Sequence, residues 1–206
     1  MSAYTLAQVK LAQLRELATI DNLGVVPSIW ASLEQGELTE EEEQVLAFLR
    51  KRILYYKTQM ASEATIWSRA IYPLLLLAER DDLRAYSQVP LAAQLSRGEL
   101  RGEVDGVLAR EGIDQEVTPP YVLVVEAKRG VEGHDPVAQL LGGLLCAAWE
   151  NQRLLRREEH HLYGVYTVAD VWTFVDVKIT GIDGEQPRMV MAFSREYTEK
   201  TEAGVI

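Results

Sequence analysis

The sequence predicts an α/β protein, and three stretches carry that reading. Tyr121–Lys128 is an apolar run of buried-strand length that ends in charge, Leu100–Ala109 reads as a second strand with acids inside it, and Pro136–Leu155 is helical and apolar nearly all round. A helix without a polar face is covered on both sides, by a sheet and by helices or a second subunit. The expected architecture is an α/β core with helices on both sheet faces, preceded by extra N-terminal helices.

The charged end of the first stretch fixes where chemistry would sit. Side chains alternate across a strand, so Glu126 and Lys128 leave on one face while Val125 and Ala127 leave on the other. In the second stretch the same alternation puts Glu103 and Asp105 on one face and Val104 and Leu108 on the other. An acid in mid-strand is unusual, because Asp is depleted from strands and costly to bury unpaired. If the two strands pair, Asp105, Glu126 and Lys128 converge. Two carboxylates from adjacent strands form a hard-oxygen site suited to a divalent ion such as Mg²⁺, and a neighbouring Lys adds a cation for a phosphate. A lone Glu-x-Lys otherwise reads as the start of a solvated loop.

With Asp105 followed by Glu126-Ala127-Lys128, the sequence resembles the PD-(D/E)XK nuclease superfamily, the restriction-endonuclease-like fold. Ser62-Glu63-Ala64-Thr65 with Ile71–Leu75 is similar to the helix that precedes the core in the N-terminal nuclease domains of type I restriction subunits, and Glu63 matches the acid there. Gln139 is similar to a residue of the helix following the Glu-x-Lys strand, and 163–174 to a closing hairpin. Val104 stands where the name-giving Pro would be, and Gly143 where a Gln-x-x-x-Tyr variant has its Tyr. The resemblance implies a mixed sheet core at 61–206 after a helical addition at 1–60, and a metal-dependent nuclease hydrolysing phosphodiester bonds, with DNA the expected substrate. It implies Mg²⁺, with Mn²⁺ as a substitute, held by Asp105 and Glu126 with Glu63. Lys128 would orient or deprotonate the attacking water. Gln139 and Glu103 are accessory candidates. The alternative is a catalytically inactive scaffold of the same fold that binds a partner protein.

Taken in order, 4–20 reads as a helix with Ala7, Leu11, Leu14 and Ala18 as its stripe, ended by Asp21–Gly24, and 27–35 as a short helix stopped by Gly36. Thr39 and Glu42 form a capping box opening a helix to about Lys57, whose apolar face is Leu46, Leu49, Ile53 and Tyr56. Its four first-turn glutamates read as solvated. Glu63 shares a helix face with Ile66, Trp67 and Ala70, or simply occupies the first turn behind an N-cap Ser62. Pro73 should kink or restart that helix, with Leu74–Leu77 buried beyond it. A strand at 86–95 carries Pro90, which suggests an edge position or the strand's beginning. The stretches 111–120 and 129–135 read as loops, the first mobile and beside the site. Asp135-Pro136 caps the apolar helix, in which Gln139 either touches the site or caps a neighbouring carbonyl. Strands at 162–168 and 171–179 are joined by Ala169-Asp170, and 189–193 adds another; the tail from Glu196 reads as a frayed helix or a partner-binding end.

Composition bounds the function further. The 206 residues are 48% hydrophobic and carry a net charge of −10, which opposes a large nucleic-acid footprint. Arg97, Arg101, Arg110, Lys128 and Arg129 flank the motif strands and could offset this locally, while Glu34, Glu37 and Glu40–Glu43 lie elsewhere in the chain. No run is apolar enough to span a bilayer and the start lacks signal-peptide architecture, so a cytoplasmic protein without membrane contact is expected. The single cysteine, Cys146, reads as a buried inert thiol. His134, His160 and His161 lack ligand spacing. A homodimer is expected from the surplus apolar surface of the 136–155 helix.

Overall fold

The computed structural model describes residues 2–31, 38–54, 61–114, 116–128, 136–168 and 171–198. It is a mixed α/β structure built on one nine-stranded sheet flanked by helices. The strands are β1 (Ser2–Thr5), β2 (Thr19–Val25), β3 (Leu83–Leu95), β4 (Gly98–Glu111), β5 (Val117–Lys128), β6 (Glu159–Val168), β7 (Val171–Thr180), β8 (Arg188–Phe193) and β9 (Tyr197–Thr198). Their order runs β1-β4-β5-β6-β7-β8-β2, with β3 on the other side of β4 and β9 beside β7. Helices α1 (Leu11–Leu17), α2 (Pro27–Ala31), α3 (Glu40–Leu54), α4 (Glu63–Ile66), α5 (Tyr72–Leu77) and α6 (Pro136–Leu155) complete it. β5, α6 and β6 form a crossover unit, because β5 and β6 run parallel and parallel neighbours need a long connection.

Two apolar clusters hold the sheet between them. On one face α6 buries Leu140, Leu141, Leu144 and Leu145 against Val104, Val107, Val124 and Leu162. On the other, Ile66, Ile71 and Leu75 meet Ala85, Leu108, Val125, Ala127 and Val165. Adjacent residues Val124 and Val125 enter opposite clusters, as an unbroken strand requires. The four α6 leucines have no exposed surface.

The cover on the outer side of α6 comes from the N-terminus, which differs from the sequence expectation. Residues 2–5 and 19–25 are strands, paired in parallel with β4 and β8, so the helix expected at 4–20 shrinks to a 3₁₀ turn at Leu6–Gln8 and α1. A strand of four residues is too short to display period-2 patterning, and the Leu11–Ala18 stripe spilled over it. The sheet therefore draws strands from both sides of residue 60, and 1–60 is not a separate helical addition. Leu6 lies against Gly142 and Gly102: a Cβ on either glycine would come within 2.8 Å of it. Leu6, Val9 and Leu14 close this face, so the apolar surface of α6 from which a homodimer was expected is covered within the chain.

Other expectations resolve element by element. The Thr39–Glu42 capping box forms, at 2.7 and 3.2 Å, and Leu49 is buried; Glu42 also pairs with Arg80 at 2.8 Å instead of being merely solvated. Pro90 lies in β3, which pairs only with β4 and is an edge strand among the described residues. Of Leu74–Leu77 only Leu75 is buried. The expected loop at 111–120 is strand at Glu111 and again from Val117, which pair with each other, and the turn between them lies at the opposite end of β5 from Glu126. Cys146 is buried and burial pushes its thiol up, in keeping with an inert group. Gly36, Tyr56, Lys57, 129–135, Ala169-Asp170 and the last eight residues, for which expectations were given above, lie outside the described residues.

Leu6 is the seal on the α6 cluster, so Leu6→Ala should cost about 2–4 kcal/mol, the usual range for emptying a core leucine site. Urea denaturation with an unchanged m-value would show it; a loss below about half a kcal/mol would mean that β1 and α1 do not cover the core.

Candidate active site

The site forms where β4 and β5 part. Their ladder runs to Gly106 opposite Val125, and the next rung in that register would set Asp105 across from Glu126. At this rung the Asp105 carboxylate accepts the N–H of Ala127 at 2.7 Å. A side-chain oxygen thus serves a strand N–H, and the two backbones are free to diverge.

Glu126 and Lys128 share a face, as alternation requires, and Lys128 Nζ lies 2.6 Å from Glu126 Oε1. Glu126 is 4% exposed. Glu63 is the first residue of α4, behind Ser62, whose Oγ accepts the Thr65 N–H at 3.3 Å. It is about half exposed, and its Oε1 stands 3.9 Å from Lys128 Nζ. Both readings of Glu63 therefore hold together: it follows an N-cap and its charge reaches the cluster. Three carboxylates face one ammonium, and the imbalance shows in acidity. Burial, then the Asp105 charge, push Glu126 up to about 7 against the pull of Lys128. Burial also raises Asp105, opposed by the Ala127 N–H and by Lys128. Lys128 itself is raised: burial works against its charge, but Glu126, Asp105 and Glu63 outweigh it.

Beside this cluster opens a cleft of about 500 Å³ lined by Glu63, Ala64, Trp67, Ser87, Gln88, Asp105 and Ala127. Trp67 begins a π-helical stretch, Trp67–Ile71, that joins α4 to α5, where Pro73 can offer no N–H. Its indole N–H donates to Ser87 Oγ at 3.1 Å, and its benzenoid end covers Gly106, where a Cβ would lie 2.4 Å from the ring. Gly106 is thus required by the tryptophan above it.

Alternation breaks at this point. Val104 and Val107 both enter the α6 cluster, while Leu108 enters the opposite one, so Leu108 does not share a face with Val104 as the pattern implied. The matching break on β3 falls at Gln88, the residue paired by register with Asp105, which has a φ of +53°. Glu103 is exposed on β4 and adds only a minor upward push on Asp105. Gln139 is buried in α6, and its Oε1 has no hydrogen-bond partner among the described residues. His160 and His161 bind Gln152 and Asp176, and His134 lies outside the described residues.

Sequence reasoning missed Ser87, Gln88 and Gly106. The glycine next to a strand acid was the available signal, since a glycine inside a strand marks a bulge or a close approach. Of the basic residues expected to offset the negative charge, Arg110 pairs with Asp82 at 2.6 Å and Arg101 with Glu99 at 3.6 Å. Arg97 lies in the β3–β4 turn, and Arg129 is outside the described residues.

No protein-family model and no curated protein matches this chain.

Among the described residues no group of three or more His, Cys, Asp or Glu is placed to hold a metal ion. Mg²⁺ does not need such a cage, because it takes one or two carboxylates and completes its shell with water and phosphate oxygens. Asp105 and Glu126 fit that demand: both are hard-oxygen donors, and burial, with the repulsion between carboxylates added to it, raises the pKa of each despite Lys128.

Glu126 makes stability depend on pH. Between about 4.5 and about 7 the folded protein keeps a proton that the unfolded chain releases, so stability falls as pH rises through that window. Glu126→Gln should therefore stabilise the metal-free protein at about pH 8, by on the order of 2–3 kcal/mol, and do little at about pH 4. Equal effects at both values would show that folding does not raise the pKa of Glu126. Asp105→Ala orphans the Ala127 N–H and should cost about 1–3 kcal/mol, whereas Asp105→Asn keeps an acceptor oxygen and should stay near neutral in the same denaturation series.

Proposed function

We propose that this cleft hydrolyses phosphodiester bonds in nucleic acid, DNA being the expected form, with Asp105 and Glu126 as the residues that hold a divalent cation. The observation that carries the reading is the convergence of the buried Glu126, the part-buried Asp105 and Lys128 on one cluster, with Asp105 lining an open cleft. Perturbed acids in a cleft mark functional sites more often than structural ones. The resemblance of Asp105 and Glu126-Ala127-Lys128 to the PD-(D/E)XK pattern supports the same chemistry. Mg²⁺, or Mn²⁺ in its place, would supply Lewis-acid activation of water and relief of charge growing on the phosphate.

The chain's own groups then have separable tasks. Lys128 holds its proton, because three carboxylates raise its pKa. In the metal-free protein it is thus an ammonium, suited to orienting the attacking water and offsetting phosphate charge. Glu63 holds Lys128 from the α4 side at 3.9 Å and lines the cleft. Asp105 spends one carboxylate oxygen on the Ala127 N–H, which fixes the direction of the other. The half-exposed position of Glu63 makes it a positioning residue before it is a ligand.

A second reading has its own observation. Lys128 already contacts both Glu126 and Glu63, as in a structural ion-pair network of an inactive scaffold. The open cleft beside Asp105 weighs against it, since a purely structural network has no need of one. As to location, no helix among the described residues is long and apolar enough to cross a membrane. A cytoplasmic setting fits a nuclease.

Titration calorimetry with Mn²⁺ and cleavage of plasmid and single-stranded DNA test the proposal together. The intact chain should bind Mn²⁺ and cut, Asp105→Asn should do neither, and Lys128→Met should bind Mn²⁺ but cut at least about 100-fold more slowly. A chain that neither binds Mn²⁺ nor cuts is the scaffold.

A further inference from the structure

The cleft contains more than the proposed chemistry uses. Besides Glu63, Asp105 and Ala127, its lining includes Trp67, Ser87 and Gln88. Trp67 is a prepared surface: its indole N–H is tied to Ser87, its benzenoid end rests on Gly106, and the Tyr72 ring lies 6.0 Å from it. Tyr72 is in turn fixed by donating to the Ala85 carbonyl at 3.1 Å. Ordering this aromatic wall has been accomplished in folding, so a ligand that stacks on it does not have to do so.

Gln88 is the second element. Its φ of +53° is a left-handed conformation that glycine adopts freely and other residues adopt at a cost of about 1–2 kcal/mol. The face switch of β3 accounts for the conformation but not for the side chain, since glycine would make the switch more cheaply. What glutamine adds is an exposed amide, one donor group and one acceptor, at the rim of the cleft and level with Asp105. A primary amide matches the paired donor and acceptor of a nucleobase edge.

Charge argues for the same kind of ligand. The chain carries −10 overall, and Arg80, Arg84, Arg101 and Arg110 are each paired with an acid. Little counterion release is on offer from such a surface, so affinity for nucleic acid has to come from elsewhere. Stacking on an aromatic ring supplies roughly 1–3 kcal/mol per base without any basic groove. A volume of about 500 Å³ lies within the usual range of small-ligand pockets, roughly 300–1,000 Å³. A stacked base inside a duplex cannot enter it; an unpaired one can.

We infer that the Trp67–Gln88 side of the cleft is a subsite for one unpaired nucleobase, stacked by Trp67 and read on its edge by Gln88, so that the substrate is single-stranded next to the bond cut at Asp105. The inference rests on the nuclease reading above, and its test separates the two. A fluorescein-labelled single-stranded DNA oligonucleotide is bound to the intact chain in Ca²⁺, and a single abasic site is moved along it one position at a time. One position should lose affinity by roughly 5- to 150-fold, the equivalent of one lost stack. That penalty should shrink to within about two-fold in Trp67→Leu, which removes the stack, and should persist in Gln88→Gly, where glycine takes the positive φ, keeps the fold and removes only the edge contact, so that its discrimination between bases at that position is lost. Gln88→Gly should melt no lower than the parent, which guards against misreading an unfolded variant. Binding and cleavage with no position-specific penalty would overturn the subsite and leave the nuclease standing. Failure to bind any oligonucleotide would overturn both, and a duplex bound more tightly than its single strand would overturn the subsite alone.

Discussion

The hydrogen bond from Ala127 N–H to the Asp105 carboxylate is the constraint on which the site depends. Within a sheet, a strand N–H goes to the neighbouring strand's carbonyl, and both backbones stay parallel to each other. Here a longer side-chain acceptor takes its place one rung beyond the Gly106–Val125 pair, so β4 can leave β5 while no N–H is orphaned. The fork opens the cleft, brings Asp105 beside Glu126, and leaves Gly106 bare for Trp67. Each of the three follows from one carboxylate doing a backbone's work.

Holding that carboxylate next to a 4%-exposed glutamate is unfavourable by itself. Burial disfavours the glutamate's charge, the Asp105 carboxylate repels it, and one ammonium at 2.6 Å relieves only part of both, which is why Glu126 is pushed up to about 7. The strain is tolerated because the surroundings are over-determined. β5 is clamped between α6, whose leucines have no exposed surface, and the Ile66–Leu75 segment on the opposite face. Apolar packing on both sides leaves the charged rungs nowhere to relax, and a cluster of unrelieved negative charge is what a divalent cation answers.

The residues of the cluster were legible because each broke a local rule. Asp105 and Glu126 stood in apolar strand contexts where acids are depleted, and the all-round apolar α6 announced that it was covered twice. What stayed hidden was whatever depended on a partner distant in sequence. β1 is a strand because Gly98–Arg101 offers it a parallel edge, and nothing in Ser2–Thr5 records that edge. Arg101 and Arg110 looked like a positive rim, yet their partners are Glu99 and Asp82, and only coordinates assign such pairs. The Glu111–Pro120 stretch looked like a loop because of its prolines, but the edge position and irregular register of β5 there accommodate them.

The face of Leu108 was misassigned for a sharper reason, and it bears on how strand acids are read. Alternation presumes an unbroken pleat, and at Gln88 one positive φ inverts it for β3 while Asp105 and Gly106 invert it for β4. The inversion has to be shared, because paired strands must keep the same face toward the same core. It falls at Asp105 for a physical cause: the rung that breaks the pleat is the one whose side chain can satisfy a stray N–H. A mid-strand acid is therefore a signal of lost alternation as much as of chemistry. The π-helical turn at Trp67–Ile71 belongs to the same adjustment. Tyr72 N–H reaches back to the Trp67 carbonyl, five residues away, and the widened turn meets the bare rung with an indole where a regular sheet would present a Cβ. Fork, glycine, π turn and tryptophan are thus one packing solution, and the cleft beside Asp105 is the space it leaves.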